Sequence, residues 1–408
     1  MRELVAADDF AKLIEVISVA SVFYFLHTVS RDNQSIVAVF AILSMVLLRF
    51  RDPQFGRLQS GLAQLAPLAL LAAYCALTTW MSGGSASGLR MWALVMVVFL
   101  LGLTLGTVIR LQQLLWGLIL GAFLTQIYGW SSFLSTWELG VTVSDYSGVS
   151  NLESVEALSV LVGLTAAAAL GRQSVSGVFG LFLAGCLLLF SLVSLGMTSL
   201  IIVAAVILVA ALYLLIIRRA KSPSFARFLG LVAIFAWGSS VLAVFQGTLL
   251  KWIAVGLGEV ASISIRYELW SAVISSSSPM QLWFGNGAAF WLPDSPSFKN
   301  FSETMEAAGL ATYGHAHSSY VDLFVNFGVL GVIAVGIISW QILQPAWKRL
   351  RFASSWQESS FLWLFVVAGA AFGFTESALI ARPIGWLTAG LVLGASLVSE
   401  IPSKGSPR

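Results

Sequence analysis

Two of the three histidines, His315 and His317, stand two residues apart before an apolar run, in GHAHSSYVDLFVNFGVLG. An imidazole at a membrane surface exchanges a proton near neutral pH, which makes His317 a candidate general base. The plainer alternative is a polar residue facing water at a helix entrance. Upstream lie the cations Lys251, Arg266 and Lys299. Arg266, in SISIRYELW, shares a helical face with Trp270 four residues on. Its guanidinium is a permanent cation suited to bidentate phosphate binding. A salt bridge to Glu268 or Glu259, or a head-group contact, is the structural alternative. His315 and His317 have no Cys, Asp or Glu at ligand spacing, so no metal is expected.

Asp322 invites pairing with His317, but five residues turn a helix by about 140°, away from a common point. Ser319 and Asp322 instead fit the S-x-x-D pattern of a helix cap. Farther on, Glu376 sits among apolar residues in GFTESALIARP, with Arg382 as its candidate partner. Acids in such places are paired or functional.

The elements that must carry these residues follow from composition. The 408 residues are 58% hydrophobic and only 10% charged, and mean hydropathy is +0.89. Soluble domains carry about 25% charged residues. Apolar runs of about 20 residues recur, each long enough to cross ~30 Å of hydrocarbon. Their continuity excludes an alternating β-barrel. The expected fold is all-α: one polytopic transmembrane domain over residues 1–408 with about twelve helices. The spans are read at 12–29, 34–50, 61–81, 91–109, 111–134, 154–171, 176–194, 199–217, 228–248, 318–344, 359–376 and 383–400. Acidic residues Glu3, Asp8 and Asp9 precede the first run, so it reads as a retained helix and not as a signal peptide. Cys75 and Cys186 fall within apolar runs and read as small buried hydrophobes.

Orientation follows from Lys and Arg, which stay cytoplasmic. With the N-terminus inside, only Arg31, Arg90, Lys251, Arg266, Lys299 and Arg382 of the 22 cations fall outside. Both termini are then cytoplasmic. Two long outer loops result, 135–153 and 249–317. Ser150 and Glu153 form a capping-box pattern opening the sixth span. The 249–317 loop, between helices 9 and 10, starts with a short amphipathic helix near 258–275. Four serines and Pro279 then break the pattern, and Gly285–Asn286–Gly287 makes a turn. This loop gathers the scarce cations and imidazoles, so the active site is expected there.

Three pieces, RYELW at 266–270, FGNGAAFW at 284–291 and HAHSSYVDLFVNFGVLG at 315–331, resemble the O-antigen ligase and polymerase superfamily of bacterial envelope glycosyltransferases. TESALIARPIGW at 375–386 is similar to a Thr-Glu-Ser segment of its exopolysaccharide-polymerase branch. The resemblance implies a GT-C-like fold in the bacterial inner membrane and a periplasmic active site. It implies transfer of a glycan from undecaprenyl pyrophosphate to an acceptor hydroxyl, on another glycan or on lipid A-core. It also implies that His317 activates the acceptor and Arg266 holds the donor pyrophosphate. Around them, Arg382, Lys299, Trp270, Tyr320, Glu376 and His315 are candidate substrate-binding residues. No metal, cofactor, nucleotide sugar or nucleic acid is expected. One departure stands out. Many members carry Ser-Arg-Gly where this chain has Ser194–Leu195–Gly196. Either another cation replaces that arginine, or the donor is held differently. Ser318 likewise stands where the family usually has Asn.

The leading expectation is an exopolysaccharide or O-antigen polymerase, with O-antigen ligase as the alternative. A transporter or flippase of a lipid-linked glycan fits twelve spans and the intramembrane acids Glu15 and Glu376. Transporters tend to show paired halves with broken helices, and the sequence shows no such repeat.

Overall fold

The computed structural model describes residues 2–28, 66–81, 86–138, 150–170, 260–287, 290, 295–307, 318–349, 362, 365–366, 369 and 383–399. Among the described residues the fold is helical, with no strand. In chain order the helices are α1 (Arg2–Thr28), α2 (Ala66–Met81), α3 (Ala86–Val108), α4 (Leu111–Glu138) and α5 (Ser150–Leu170). They continue with α6 (Val260–Ser276), α7 (Pro279–Phe284), α8 (Pro296–Ala307), α9 (Ser319–Arg349) and α10 (Pro383–Ser399). Among the described residues three stretches are long and apolar enough to cross a membrane: Leu89–Val108, Leu111–Tyr128 and Ser319–Ile337. Shorter apolar helices cover Ala69–Met81, Leu158–Ala167 and Ile384–Ala395. This is the helical membrane architecture that the composition requires. The spans expected at 34–50, 176–194, 199–217 and 228–248 lie outside the described residues, as does most of 359–376.

Hydroxyls inside the apolar helices bond back to their own backbone. Thr79 Oγ1 donates to the Cys75 carbonyl at 2.7 Å, Thr104 to Leu100 at 2.8 Å and Thr388 to Ile384 at 2.7 Å. That satisfies a polar group which lipid would leave bare.

The chain divides into two compact units. The first comprises 1–68, 93–211 and 337–408. Its helices pack through glycines. Gly117 of α4 lies against Val16 and Val19 of α1, and Gly121 lies against Ala20 and Phe23. The paired positions advance together, so α1 and α4 run parallel; Tyr24 and Tyr128 continue the register with an edge-to-face ring contact at 6.2 Å. Gly102 and Gly106 of α3 meet Leu387, Leu391 and Gly394 of α10, and Gly390 and Gly394 meet Phe99 and Leu103. This pair also runs parallel. A Cβ on Gly106 would lie 3.1 Å from the Cα of Gly394. Small residues let backbones approach this closely, and such contact replaces the hydrophobic drive that lipid removes. Gln126 Nε2 donates to Ser159 Oγ at 3.1 Å, a buried polar link between α4 and α5.

The second unit comprises 69–92 and 212–336. It contains most of α2, the start of α3, all of α6, α7 and α8 and the first part of α9, and therefore the described part of the 249–317 loop. The short helix expected at 258–275 is α6, and it ends at Ser276. The loop is more ordered than the sequence suggested. Ser278 caps α7 by accepting from Gln281 N, while Gln281 Oε1 accepts from Ser278 N at 2.8 Å. Pro279 opens this helix, where its missing N–H costs nothing. Farther on, α8 buries Phe301 and Met305 and exposes Lys299, Asn300, Glu303 and Glu306. Phe290, Phe298 and Phe301 pack as a ring cluster, with centroids 5.9–6.2 Å apart.

Candidate active site

The centre of the second unit is a break in α9. Gly328 has φ 64° and ψ −170°, so the helix stops and restarts there. A break frees backbone carbonyls, and buried carbonyls need partners. The Gly285–Asn286–Gly287 turn supplies them. Asn286 N donates to the Val325 carbonyl at 2.8 Å, and Gly287 N donates to the Asn326 carbonyl at 2.8 Å. The Asn286 side-chain amide adds a bond to Val325 O at 3.1 Å. The Tyr74 hydroxyl lies 2.8 Å from Phe327 O and 3.0 Å from Phe284 O. One proton serves two carbonyls, so Tyr74 clips the turn to the break from the α2 side.

Glycine is required where these backbones meet. Gly285 and Gly287 both have φ 84°. A Cβ at Gly285 would strike the carbonyl of Asn326, and a Cβ at Gly328 would strike the carbonyl of Trp283 and come within 2.7 Å of Gly285 N. The FGNG and NFG segments, 40 residues apart in the chain, are thus complementary surfaces of one joint.

The first turn of α9 continues from this joint toward His317. The cap expected at Ser319 falls one residue earlier. Ser318 Oγ accepts from Val321 N at 3.5 Å, and Ser318 O accepts from Asp322 N at 2.9 Å. The reason is spacing, because a capping side chain reaches the third residue beyond itself. Asp322 then lies inside the first turn with 1% exposure. Ser318, Asp322 and Asn326 follow at four-residue intervals and are all buried, which makes a polar stripe along one face of α9. Asn326 is 7% exposed, and among the described residues its Oδ1 has no donor. A buried acceptor without a donor is costly, and a substrate hydroxyl is chemistry that would satisfy it.

Of the residues singled out from the sequence, Arg266 and Trp270 lie on α6, and Trp270 is buried. Tyr320 stands half-buried in the first turn of α9. Lys299 is on the exposed face of α8, away from the phenylalanine cluster. His315, His317, Lys251, Glu376, Arg382 and Leu195 lie outside the described residues, as does the Trp291 half of the Phe-Trp pair. Phe290, the other half, is a buried anchor for α8. Tyr74 and Asn326 went unread in the sequence. A tyrosine inside an apolar run was the available signal for the first, and an asparagine beside a mid-helix glycine for the second.

Helices long and apolar enough to cross a membrane, with no strand among the described residues, define the chain as a helical integral membrane protein. Residues 179–336 match the family model described as O-antigen ligase. That match spans less than half of the chain and covers Arg266, the Gly285–Gly287 turn, His317 and the Gly328 break. Comparison with curated proteins gives no match.

Proposed function

We propose that this chain is a polysaccharide polymerase of the periplasmic face, transferring a glycan from undecaprenyl pyrophosphate to the hydroxyl of a second lipid-linked glycan. The observation that carries the reading is the family match over 179–336, because it contains the only stretch where Arg266, the GNG turn and His317 occur in the superfamily's order. Glycan transfer of the ligase or polymerase type is what that family does in general.

In this reading the acceptor oxygen attacks the anomeric carbon, and the bond from that carbon to the pyrophosphate oxygen breaks. His317 takes the acceptor proton, a role worth about 10²–10⁴ in rate. Arg266 neutralises the departing pyrophosphate, with Arg382 and the solvent-facing Lys299 as further cations. Guanidinium and ammonium groups do here what a metal ion does elsewhere. Trp270, Tyr320, His315 and Glu376 line the substrates. The joint at Gly328 ties α9, which follows His317 in the sequence, to the turn that follows α6 and its Arg266. The parallel pairing of α1 with α4 and of α3 with α10 agrees with the twelve-span topology, in which each pair shares a direction.

O-antigen ligase is the second reading, favoured by the printed description of the matching family. The deciding experiment uses purified protein with a lipid-linked repeat unit, with and without lipid A-core. Lengthening chains on the lipid carrier support the polymerase. Transfer only onto lipid A-core replaces it with the ligase. In cells, His317→Ala and Arg266→Ala at normal membrane abundance should abolish product. Normal product from both variants would overturn the transferase reading.

A further inference from the structure

Between Leu269 and Pro293 the chain carries no Asp, Glu, Lys, Arg or His. This uncharged stretch sits inside a segment that composition and topology assign to an aqueous loop. At its centre α7 turns three large apolar side chains outward: Met280, Trp283 and Phe284 are 60%, 56% and 41% exposed. Water is a poor solvent for such a face.

The depth of α7 follows from its contacts. The Trp283 carbonyl packs on Gly328. Gly328 is the tenth residue of the apolar stretch Ser319–Ile337. At 1.5 Å per residue it lies about 14 Å along the helix from Ser319, against about 30 Å for the hydrocarbon core. A second ruler agrees. The Phe284 carbonyl meets Tyr74, seven residues before the end of α2 at Met81, which is about 10 Å from that end. Beyond Tyr74, Leu77, Trp80 and Met81 of α2 are also exposed apolar residues.

Irregular backbone survives at membrane depth only where protein satisfies its polar groups. The described backbone around α7 meets that condition. The Ser278–Gln281 box closes its start, and Gly285 N donates to Gln281 O at 2.7 Å at its end. Tyr74 serves Phe284 O, and the next two amides bond to Val325 and Asn326.

We propose that α7 is a re-entrant membrane segment whose Met280, Trp283 and Phe284 rest against lipid acyl chains. The 249–317 loop then dips into the bilayer between Arg266 and His317 and does not lie wholly in the periplasm. The assignment stands on burial and backbone bonding, and holds whether the chain is a polymerase, a ligase or neither.

The test uses the full chain in phospholipid vesicles, with Cys75 and Cys186 replaced by Ala. A nitroxide is attached at Met280→Cys, Trp283→Cys, Ile333→Cys or Lys299→Cys, and its collisions with oxygen and with a water-soluble nickel chelate are compared. Ile333, an exposed residue of α9, serves as the lipid reference, and Lys299 on α8 as the aqueous one. Oxygen should dominate at 280 and 283 as at 333, and nickel at 299. Nickel reaching 280 and 283 as freely as 299 would overturn the proposal. A photoreactive phenylalanine analogue at Phe284 gives an independent reading that leaves Trp283 intact. Phospholipid adducts are expected, and their absence would count against α7 insertion.

Discussion

Replacing Gly328 by Ala should detach the 285–287 turn from α9 while leaving the rest of the fold in place. The cost can be assembled from the geometry. At φ 64° and ψ −170° a non-glycine residue pays about 1–3 kcal/mol. The new methyl strikes the Trp283 carbonyl and crowds Gly285 N. Both are backbone atoms with no rotamer to escape through, so relief requires the turn to move away. Movement breaks the bonds from Asn286 N to Val325 O and from Gly287 N to Asn326 O, at about 1 kcal/mol each net. The joint therefore weakens by about 3–5 kcal/mol. At 1.4 kcal/mol per tenfold, local opening becomes about 10² to 4 × 10³ times more frequent. Hydrogen exchange of the peptide spanning 279–290, in detergent micelles, reads this directly. The amides of Asn286 and Gly287 should lose protection by that factor. Gly336→Ala is the matched control on the same helix, because a Cβ there meets nothing within 4 Å. Wild-type protection in Gly328→Ala, or equal loss in both variants, would refute the account of the joint.

Further outcomes are expected from the same structure. Tyr74→Phe removes the hydroxyl shared by Phe284 O and Phe327 O. It should destabilise the joint by about 1 kcal/mol, the net worth of a hydrogen bond at a partly exposed site, seen as faster exchange in the same peptide. Gly102→Leu should lower the thermal midpoint in detergent by several degrees and separate α3 from α10, because its side chain would occupy the backbone of Leu387; cysteine cross-linking between the two helices checks this. Glycan transfer by the wild type should fall as pH drops below the ordinary histidine range near 6.5, where a general base becomes protonated. A pH-rate profile still showing that limb in His317→Ala would assign it to another group.

Much of this arrangement was legible in the sequence, and the illegible parts have physical causes. The GNG turn and the helix near 258–275 were readable because glycine spacing and helix breakers act locally. The partner of the turn was not, because Val325 and Asn326 offer only backbone carbonyls, which every sequence offers everywhere. Gly328 sits inside an apolar run that reads as continuous helix, since one glycine lowers helix propensity without ending a pattern. The helix α8 went unread although Phe298, Phe301 and Met305 show helical spacing. The GLTLG, GLILG and GLVLG segments at 102–106, 117–121 and 390–394 carried a packing signal that needed only recognition of two glycines four apart. The positions of His317 and Arg266 as a catalytic pair rest on motif order, since chemistry between distant residues is set by tertiary approach.

The glycine seam between α3 and α10 has a consequence for how the protein is made. Its two halves are separated by the stretch from Val108 to Pro383. At ribosomal speeds of about 5–20 residues per second, that gap lasts some tens of seconds. Throughout it α3 is already synthesised with a notched, backbone-baring surface and no mate. The insertion machinery must therefore shelter that surface, or let another helix occupy it for a while and be displaced. Assembly of this seam is a late event on the biosynthetic clock, and helix α3 spends its early life waiting for a partner not yet translated.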